Sequence, residues 1–243
     1  MSISSRQKQI LNMLEERAYI TVKQLAEMMY TSESSIRRDL AFLQANGLVK
    51  RTHGGVSAIE PIKNVASFYD RSRKNVKEMR AIAQIAARFL KNGQSILLDS
   101  STTATFLLPY IAKLKEVTLF TNNLSTAMSA IELGIHTHCL GGHSVGGGVA
   151  LSGTETFRAL SEISADIVFF SSQSLSKDGI ISDSTEEENY VRSLMLSRAE
   201  TKVFLCDSSK FSKTSTYKLC TLEVVDEIVF DRPFDDLNVN GRY

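Results

Sequence analysis

Short apolar runs alternate with helical patterns over most of the chain, and this alternation constrains the fold more than any other feature. The runs lie at residues 96–98, 117–120, 136–140, 167–170, 203–206 and 227–230, and helical patterns lie between most of them, at 77–90, 102–111, 125–133, 156–163 and 186–199. Continuous apolar strands separated by helices are typical of a mostly parallel sheet covered on both faces. The sequence therefore predicts an α/β fold of the Rossmann-like kind.

The N-terminal residues follow a different pattern. Apolar residues recur at helical spacing in three segments, with Thr21 placed to cap the second, Thr31 or Ser32 the third, and Gly47 placed to end the third. Residues 48–59 then form two short runs around a glycine turn, which predicts a β-hairpin. Three helices and a hairpin make a winged helix-turn-helix. The expected domains are a winged helix-turn-helix at 3–58, a linker or first connecting helix at 59–76, and a second domain at 77–235.

Charge is distributed unevenly along the chain, although the net charge is only +1. Residues 1–55 and 56–84 each carry a net charge of +3, whereas residues 85–243 carry −5. A basic N-terminal part favours a polyanion partner, and an acidic remainder repels nucleic acid outside local patches. No apolar run approaches the roughly 20 residues that span a bilayer, and the first residues lack a signal-peptide core. We expect a cytoplasmic protein with no membrane partner.

The third helical segment has the composition of a DNA recognition helix. Its apolar stripe leaves two serines and two arginines facing outward in the first turns. In a helix-turn-helix these positions face base edges in the major groove, and a guanidinium binds guanine or phosphate with two hydrogen bonds. The predicted contacts with double-stranded operator DNA are Ser34, Ser35, Arg37 and Arg38 in the helix, and Lys50, Arg51 and His53 in the hairpin.

Polar residues and glycines follow the predicted strands, at the edge where open α/β sheets bind ligands. Residues 99–103, Asp-Ser-Ser-Thr-Thr, lead from the first strand into a helix, so four hydroxyls and the free amides of a helix start predict a phosphate cradle. Ordinary helix capping would explain the same hydroxyls, but polar strand ends recur along this edge. The candidate effector-binding residues are Asp99, Ser100, Ser101, Thr102, Thr103, Asn122, Asn123, Gly141, Gly142 and Lys210.

The N-terminal motifs resemble the winged helix-turn-helix of the DeoR family of bacterial transcription regulators. The resemblance is carried by Ile-Arg-Arg-Asp-Leu at residues 36–40, followed by the pattern L-x-x-x-G-x-V-x-R-x-H-G-G up to residue 55. The later segments Asp-Ser-Ser-Thr-Thr, Thr-Asn-Asn, Leu-Gly-Gly and Asp-Ser-Ser-Lys-Phe are similar to the sensor half of the same family. One segment and one residue depart from the family pattern: residues 30–33 replace a shorter Val-Ser turn, and Ser101 stands where many relatives have glycine.

The resemblance implies both a fold and a function. The family's sensor half resembles ribose-5-phosphate isomerase and glucosamine-6-phosphate deaminase, so it implies a sugar-phosphate-isomerase-type sensor domain for residues 77–235. It also implies a homo-oligomeric transcription factor, a dimer or tetramer, that represses a sugar-metabolism operon. The affinity of such a factor for its operator changes when a phosphorylated sugar binds. No cofactor is implied.

An enzyme remains an alternative on the sequence. A sugar-phosphate isomerase or deaminase fused to a DNA-binding head would need an acid and a base around the bound sugar. Asp99, Asp178, Asp183 and residues 186–188 are the candidates. Glutamates at a helix start more often stabilise the helix dipole than take part in catalysis. Because the chain also carries a DNA reader, we expect sensing rather than catalysis.

A metal sensor is the second alternative. His136 and His138 share one face of a strand, and Cys139 is adjacent, a spacing that can bind zinc. No further pair of ligands is close in sequence, and the three cysteines of the chain show no zinc-finger spacing. We therefore expect no metal site.

Overall fold

The structure is a computed structural model that describes residues 4–17, 19–46, 48–52, 54–58, 68–145 and 148–237. Contacts within the chain divide it into two compact units, Met1–Val65 and Ala66–Tyr243. The exact domain limits stay predictions, and Gly47, His53 and residues 59–67 lie outside the described residues. The described elements of the first unit are α1 (Ser5–Glu16), β1 (Tyr19–Thr21), α2 (Val22–Met28), α3 (Glu33–Ala45), β2 (Val49–Thr52) and β3 (Gly55–Ala58).

Side-chain caps begin the three helices of the first unit. Ser4 and Thr21 each form a reciprocal capping box with a glutamine three residues later, and the Ser32 hydroxyl accepts a hydrogen bond from the backbone N–H of Ser35 at 3.3 Å. The apolar faces of the three helices meet in one buried core. The predicted hairpin forms from β2 and β3, and β1 adds a third strand beside β3. The winged helix-turn-helix is confirmed.

The second unit contains the predicted alternation of strands and helices. Its described elements are α4 (Phe68–Arg73), α5 (Val76–Ala86), β4 (Ser95–Leu98), α6 (Thr102–Thr105), α7 (Leu108–Ile111), β5 (Thr118–Thr121), α8 (Leu124–Glu132), β6 (His136–Cys139), β7 (His143–Ser144), β8 (Leu151–Ser152), α9 (Thr154–Ser161), β9 (Ala165–Phe170), β10 (Ser174–Leu175), β11 (Ile180–Asp183), α10 (Glu186–Ser197), β12 (Ala199–Cys206), β13 (Tyr217–Thr221) and β14 (Glu227–Phe230). All six predicted strands form one parallel sheet in the order β14-β12-β9-β4-β5-β6. The α/β class is confirmed.

Each face of this sheet has its own core. Leu98 and Phe169 pack with helices α5 to α8 on one face, and Leu97 and Phe170 pack with α9 and α10 on the other. Because successive side chains of a strand point to opposite faces, a strand buried on both sides must be apolar at every position. This is why the strands are visible in the sequence as continuous apolar runs.

Two features of the second unit differ from the expected pattern. Residues 102–111 form two short helices instead of one, with Pro109 in the first turn of α7, where a missing N–H is tolerated. The helix α4 lies in the segment for which the sequence left a linker or a first connecting helix open. A small antiparallel sheet of β10, β11 and β13 was not predicted, because its strands are only two to five residues long.

The strand order creates a switch point between β4 and β9. From β4 the chain first adds β5 and β6 on one side, and then adds β9, β12 and β14 on the other. At such a point the connections leave neighbouring strand ends in opposite directions, which opens a crevice at the carboxyl ends of the strands.

Candidate functional site

The exposed side of α3 carries the residues predicted to contact DNA. Ser34, Arg37 and Arg38 are exposed and Ser35 is half-buried, while the opposite side of the helix lies in the core. Arg37 Nη2 donates to the carboxylate of Glu33 at 3.1 Å, an exposed pair one helical turn apart. The structure thus brings both guanidiniums and both serines to the first two turns of one helix, and their contact with DNA stays a prediction.

Asp39, on the same helix, is a residue whose role sequence reasoning missed. The residue is 6% exposed, and its carboxylate accepts hydrogen bonds from Arg6 Nε at 2.5 Å and from Gln7 Nε2 at 3.1 Å. A buried carboxylate needs such partners, so these bonds fix the position of α3 against α1. No local pattern could have linked residues more than 30 positions apart.

The hairpin carries the remaining predicted DNA contacts. Lys50 is exposed and Arg51 is half-buried, on consecutive positions of β2. Consecutive residues of a strand point to opposite sides, so the two cations do not share one surface of the hairpin. His53 lies outside the described residues.

A cavity of about 290 Å³ opens in the second unit at the switch point. Its walls come from the carboxyl ends of β4, β9 and β12, from α4 and the residues after it, and from α10. Five cationic and three carboxylate side chains line it, together with several serine hydroxyls. Of the ten predicted effector-binding residues, the structure brings Ser100, Ser101, Thr102 and Lys210 into this lining.

Lys210 follows β12 and reaches towards β9 and β4. Its Nζ donates to Ser171 Oγ at 2.8 Å and to Thr103 Oγ1 at 3.4 Å, and lies 3.1 Å from the carboxylate of Asp207. Burial works to raise the pKa of Asp207, but the Lys210 ammonium and hydrogen bonds from Ser209 outweigh burial and hold that pKa below its ordinary value. An ionised Asp207 therefore fixes the ammonium at the cavity wall.

The four hydroxyls after β4 have different partners. Ser100 donates to a glutamate carboxylate at 3.3 Å, and Ser101 donates to Asp99 at 2.5 Å while capping α6. Thr103 is buried beside the ammonium just described. The Thr102 hydroxyl has no hydrogen-bond partner in the described part of the chain, and Thr102 lines the cavity. A ligand could bind this hydroxyl without breaking an internal hydrogen bond.

A buried charge network forms part of the cavity wall. Arg192, with 3% of its side chain exposed, places Nε 2.9 Å from Asp99, Nη1 3.3 Å from Asp183 and Nη2 3.7 Å from Glu188. Burial works to lower the pKa of Arg192, yet the three carboxylates outweigh it and raise the pKa. Burial also raises the pKa of Glu188, against the effect of the arginine. Asp99 is thus part of the scaffold and not of the cavity surface.

Further cations come from segments that the sequence did not single out. Arg71 and Lys74 line the cavity from α4 and the turn after it, inside the predicted linker, and Lys213 lines it from beyond β12. The ammonium groups of Lys74 and Lys213 have no ion-pair partner among the residues that the structure describes. Asn75, in the left-handed conformation with φ 52°, donates from its side-chain amide to Asp207 at 3.1 Å. The sequence did not indicate that residues 71–75 line a cavity, because charged residues are equally typical of an exposed linker.

The other predicted effector-binding residues have structural roles. Asn123 caps α8, and Asn122 donates to a backbone carbonyl at 2.9 Å. Gly142 has φ +119°, and a Cβ there would lie 2.2 Å from a backbone oxygen; Gly141 accepts a short hydrogen bond from Thr156. These residues follow β5 and β6, one and two strands away from β4 on the side opposite to β9. The structure does not bring them into the cavity lining.

The candidate metal ligands lie on the edge strand β6. The rings of His136 and His138 are 5.0 Å apart and perpendicular, and His138 stacks on Phe120. Within the described ranges, no three His, Cys, Asp or Glu side chains form a cluster that could hold a metal ion. All three cysteines are free thiols.

None of the described helices is both long enough and apolar enough to cross a bilayer.

Comparison with known proteins gives two family matches: the DeoR-like helix-turn-helix domain over residues 6–61 and the DeoR C terminal sensor domain over residues 74–232. The HTH-type transcriptional regulator GolR of Listeria innocua is 30% identical over 227 residues, which cover 93% of this chain and 89% of GolR. The lactose phosphotransferase system repressor of Staphylococcus epidermidis is 28% identical, with 95% and 93% covered.

Among solved structures, ribose 5-phosphate isomerase A from Methanocaldococcus jannaschii matches 57% of this chain and 55% of its own, at 17% identity and a TM-score of 0.43. A similarity this low has no bearing on function. The two family matches together span most of the chain, and GolR aligns with nearly all of it. The chain belongs to the DeoR family of helix-turn-helix transcriptional regulators.

Proposed function

We propose that this chain represses a sugar-metabolism operon and that a phosphorylated sugar, bound in the cavity, changes its affinity for operator DNA. The observation that carries the proposal is the charge of the cavity, where five cations face three carboxylates at the switch point of the sheet. A phosphate dianion takes strong hydrogen bonds from such groups. The name of one relative, the lactose phosphotransferase system repressor, supports a sugar operon.

The cavity offers groups for both halves of a sugar phosphate. Lys74, Lys210 and Lys213 supply positive charge, and Thr102 supplies a free hydroxyl, for the phosphate. Glu188, as a carboxylate, accepts hydrogen bonds from the hydroxyls of a sugar. In this proposal Ser100 and Ser101 form part of the cavity wall. Asp99 and Thr103 are buried next to that wall, and the residues after β5 and β6 do not contact the ligand.

The DNA-binding half of the proposal rests on α3 and the hairpin. The first turns of α3 enter the major groove, where Arg37 and Arg38 contact base edges or phosphates, and Lys50 and Arg51 contact the flanking backbone. Helix-turn-helix proteins read two half-sites as dimers, so a homo-oligomer is part of the proposal. A regulator of this kind works where the chromosome lies, in the cytoplasm.

Catalysis is not part of the proposal. An isomerase or deaminase needs an acid and a base that are free to exchange protons with the sugar. Asp99 and Asp183 are tied to the buried Arg192. Asp178, Glu186 and Glu187 are exposed outside the cavity lining. Glu188 lines the cavity, but it lies 3.7 Å from the same arginine and accepts a hydrogen bond from Ser100. Incubating the chain with the sugar phosphate that binds it and assaying aldose–ketose interconversion and deamination tests this point, because turnover would favour the enzyme alternative.

A thermal-shift screen of the full-length chain against sugar phosphates, the parent sugars and inorganic phosphate tests the ligand. Saturation at 100 times the dissociation constant stabilises the folded state by about 2.7 kcal/mol. For a unit of this size, that stabilisation raises the melting temperature by about 5–11 °C. The ligand found is then added to an anisotropy titration of operator fragments selected from genomic DNA. No shift with any sugar phosphate, or a ligand without effect on operator affinity, would contradict the proposal.

A further inference from the structure

One face of the second unit carries a row of exposed apolar side chains in the described part of the chain. Helix α8 presents Leu124, Met128 and Ile131 at positions i, i+4 and i+7, and Leu133 follows the helix. Their exposed fractions are 42%, 65%, 62% and 47%, and they are four of the thirteen exposed large hydrophobic residues in the described chain. Single exposed hydrophobic residues are ordinary, whereas a continuous stripe marks an interaction surface.

The strand beside this stripe is an open edge. β6 is the last strand of the parallel sheet, and no described strand pairs with its outer side. Proteins protect such edges with lysine, proline or a bulge, since unpaired backbone groups recruit other strands. β6 is a short strand of four residues, His-Thr-His-Cys, in regular register with β5, and it contains no lysine, proline or bulge.

The segment that builds this face is nearly free of charge. The 38 residues 117–154 contain a single Asp, Glu, Lys or Arg, which is Glu132, whereas the average of 23% for the whole chain would give about nine. The opposite edge of the sheet is charged: its strand β14 begins with Glu227 and is flanked by Asp226 and Asp231. Depletion of charge is what distinguishes the cores of protein interfaces from the rest of a surface.

We propose that α8 and β6 form the face through which two copies of this chain associate. A neutral surface offers nothing to a charged partner such as nucleic acid or a strongly acidic or basic protein, but it is complementary to itself. A two-fold axis brings the same stripe together from both copies, and it runs β6 antiparallel to the β6 of its copy, so that unpaired backbone groups bond to each other. The choice of a second copy as the partner rests in part on the proposed function, because a helix-turn-helix regulator binds the two half-sites of its operator with two DNA-binding units.

Sedimentation of the full-length chain, from submicromolar to tens of micromolar concentration, tests this face. Met128→Glu and Ile131→Glu each place a charge in the stripe, and both side chains are already more than half exposed, so the fold tolerates the change. Each variant should raise the dissociation constant of the dimer about tenfold or more, because desolvating an unpaired charge opposes association. The matched control is Val224→Glu, a 49% exposed apolar residue away from this face. It should leave the dissociation constant unchanged.

Two further measurements make the result decisive. In hydrogen exchange, the β6 amides that do not bond to β5 should be protected in the associated wild type and should exchange faster in Ile131→Glu. The thermal shift with the sugar phosphate should survive in both stripe variants, so a loss of association is separated from a failure of the ligand proposal. A wild-type chain that is monomeric throughout, association that survives both stripe variants, or unprotected outward amides of β6 in the associated chain would each overturn the proposal.

Discussion

Replacing Arg192 by methionine tests whether the buried charge network holds the cavity together. Methionine keeps a long flexible side chain but removes the charge, which leaves Asp99 and Asp183, at 2% and 4% side-chain exposure, without a cation. Breaking a buried ion pair by removing one partner costs about 3–5 kcal/mol, because the remaining charge stays buried. Asp99 keeps its hydrogen bond from the Ser171 N–H at 3.2 Å, so we expect a loss inside this range and not beyond it.

Calorimetry of the full-length chain measures this loss. The second unit, Ala66–Tyr243, is the larger of the two, so its transition carries the larger unfolding enthalpy, at about 0.7 kcal/mol per residue. For a unit of this size each kcal/mol shifts the melting temperature by about 2–4 °C. The expected decrease for Arg192→Met is therefore about 6–20 °C, confined to the transition of the second unit.

The control is a substitution of the same kind at the surface. Arg88 is 60% exposed and lies 4.0 Å from Glu227, and exposed pairs of this sort contribute about 0–1 kcal/mol. Arg88→Met should thus shift the transition by only a few degrees. If Arg192→Met does not fold, Arg192→Lys keeps the charge but loses the planar fork, and it should melt between the wild type and the expected methionine value. A melting temperature of Arg192→Met equal to that of Arg88→Met would refute the reasoning.

Three further predictions concern the two candidate sites. Arg37→Ala or Arg38→Ala should cost about 1–3 kcal/mol of operator binding where the side chain contacts a base, whereas lysine should preserve a phosphate contact. Anisotropy with operator and random DNA measures this, and unchanged affinity in both alanine variants would contradict the recognition helix. Thr102→Glu should abolish sugar-phosphate binding by charge repulsion while Thr102→Ser preserves it; calorimetry beside an operator titration checks both, and ligand binding by the glutamate variant would exclude this cavity. Lys210→Met should raise the pKa of Asp207. In the wild type the lowered pKa of Asp207 stabilises the folded state at pH values above the unfolded pKa of about 3.9, and this stabilisation is lost as the pH falls through the folded pKa. The difference in free energy of unfolding between the wild type and Lys210→Met, measured with urea, should therefore shrink below about pH 4. A constant advantage would contradict this assignment.

The strands and the helix-turn-helix could be predicted because their signals are local. A strand buried on both faces is apolar at each position, as residues 167–170 are, and a cap such as Thr21 or Ser32 lies next to the helix it begins. The strand β1 has only three residues and forms by pairing with β3, whose partner positions lie about 35 residues later. Three residues are too few to show a periodicity from which such a pairing could be predicted.

The cavity could be predicted only in part because strand order is not a local property. The polar ends of all parallel strands meet at one edge of the sheet, so Asn122 and Ser100 looked equivalent in sequence. The switch point between β4 and β9 makes them different, because it brings Ser100 beside Ser171 and Lys210 and leaves Asn122 on the far side. Arg192 lies four residues after Glu188, a spacing that in sequence is indistinguishable from an exposed helix pair.

For regulation, the important wall of the cavity is the one formed by α4 and the turn after it. A ligand changes operator affinity only if it binds one arrangement of the protein better than another. Arg71 and Asn75 belong to the first described segment after the DNA-binding unit along the chain, whereas Lys210 belongs to the sheet. The Asn75 side chain holds this segment to the end of β12 through hydrogen bonds of 3.1 Å to Asp207 and 3.0 Å to Ser209. A phosphate bound between the cations of both walls would strengthen that attachment, so the proposed effector acts on the segment that leads to the DNA reader without requiring any change in the sheet.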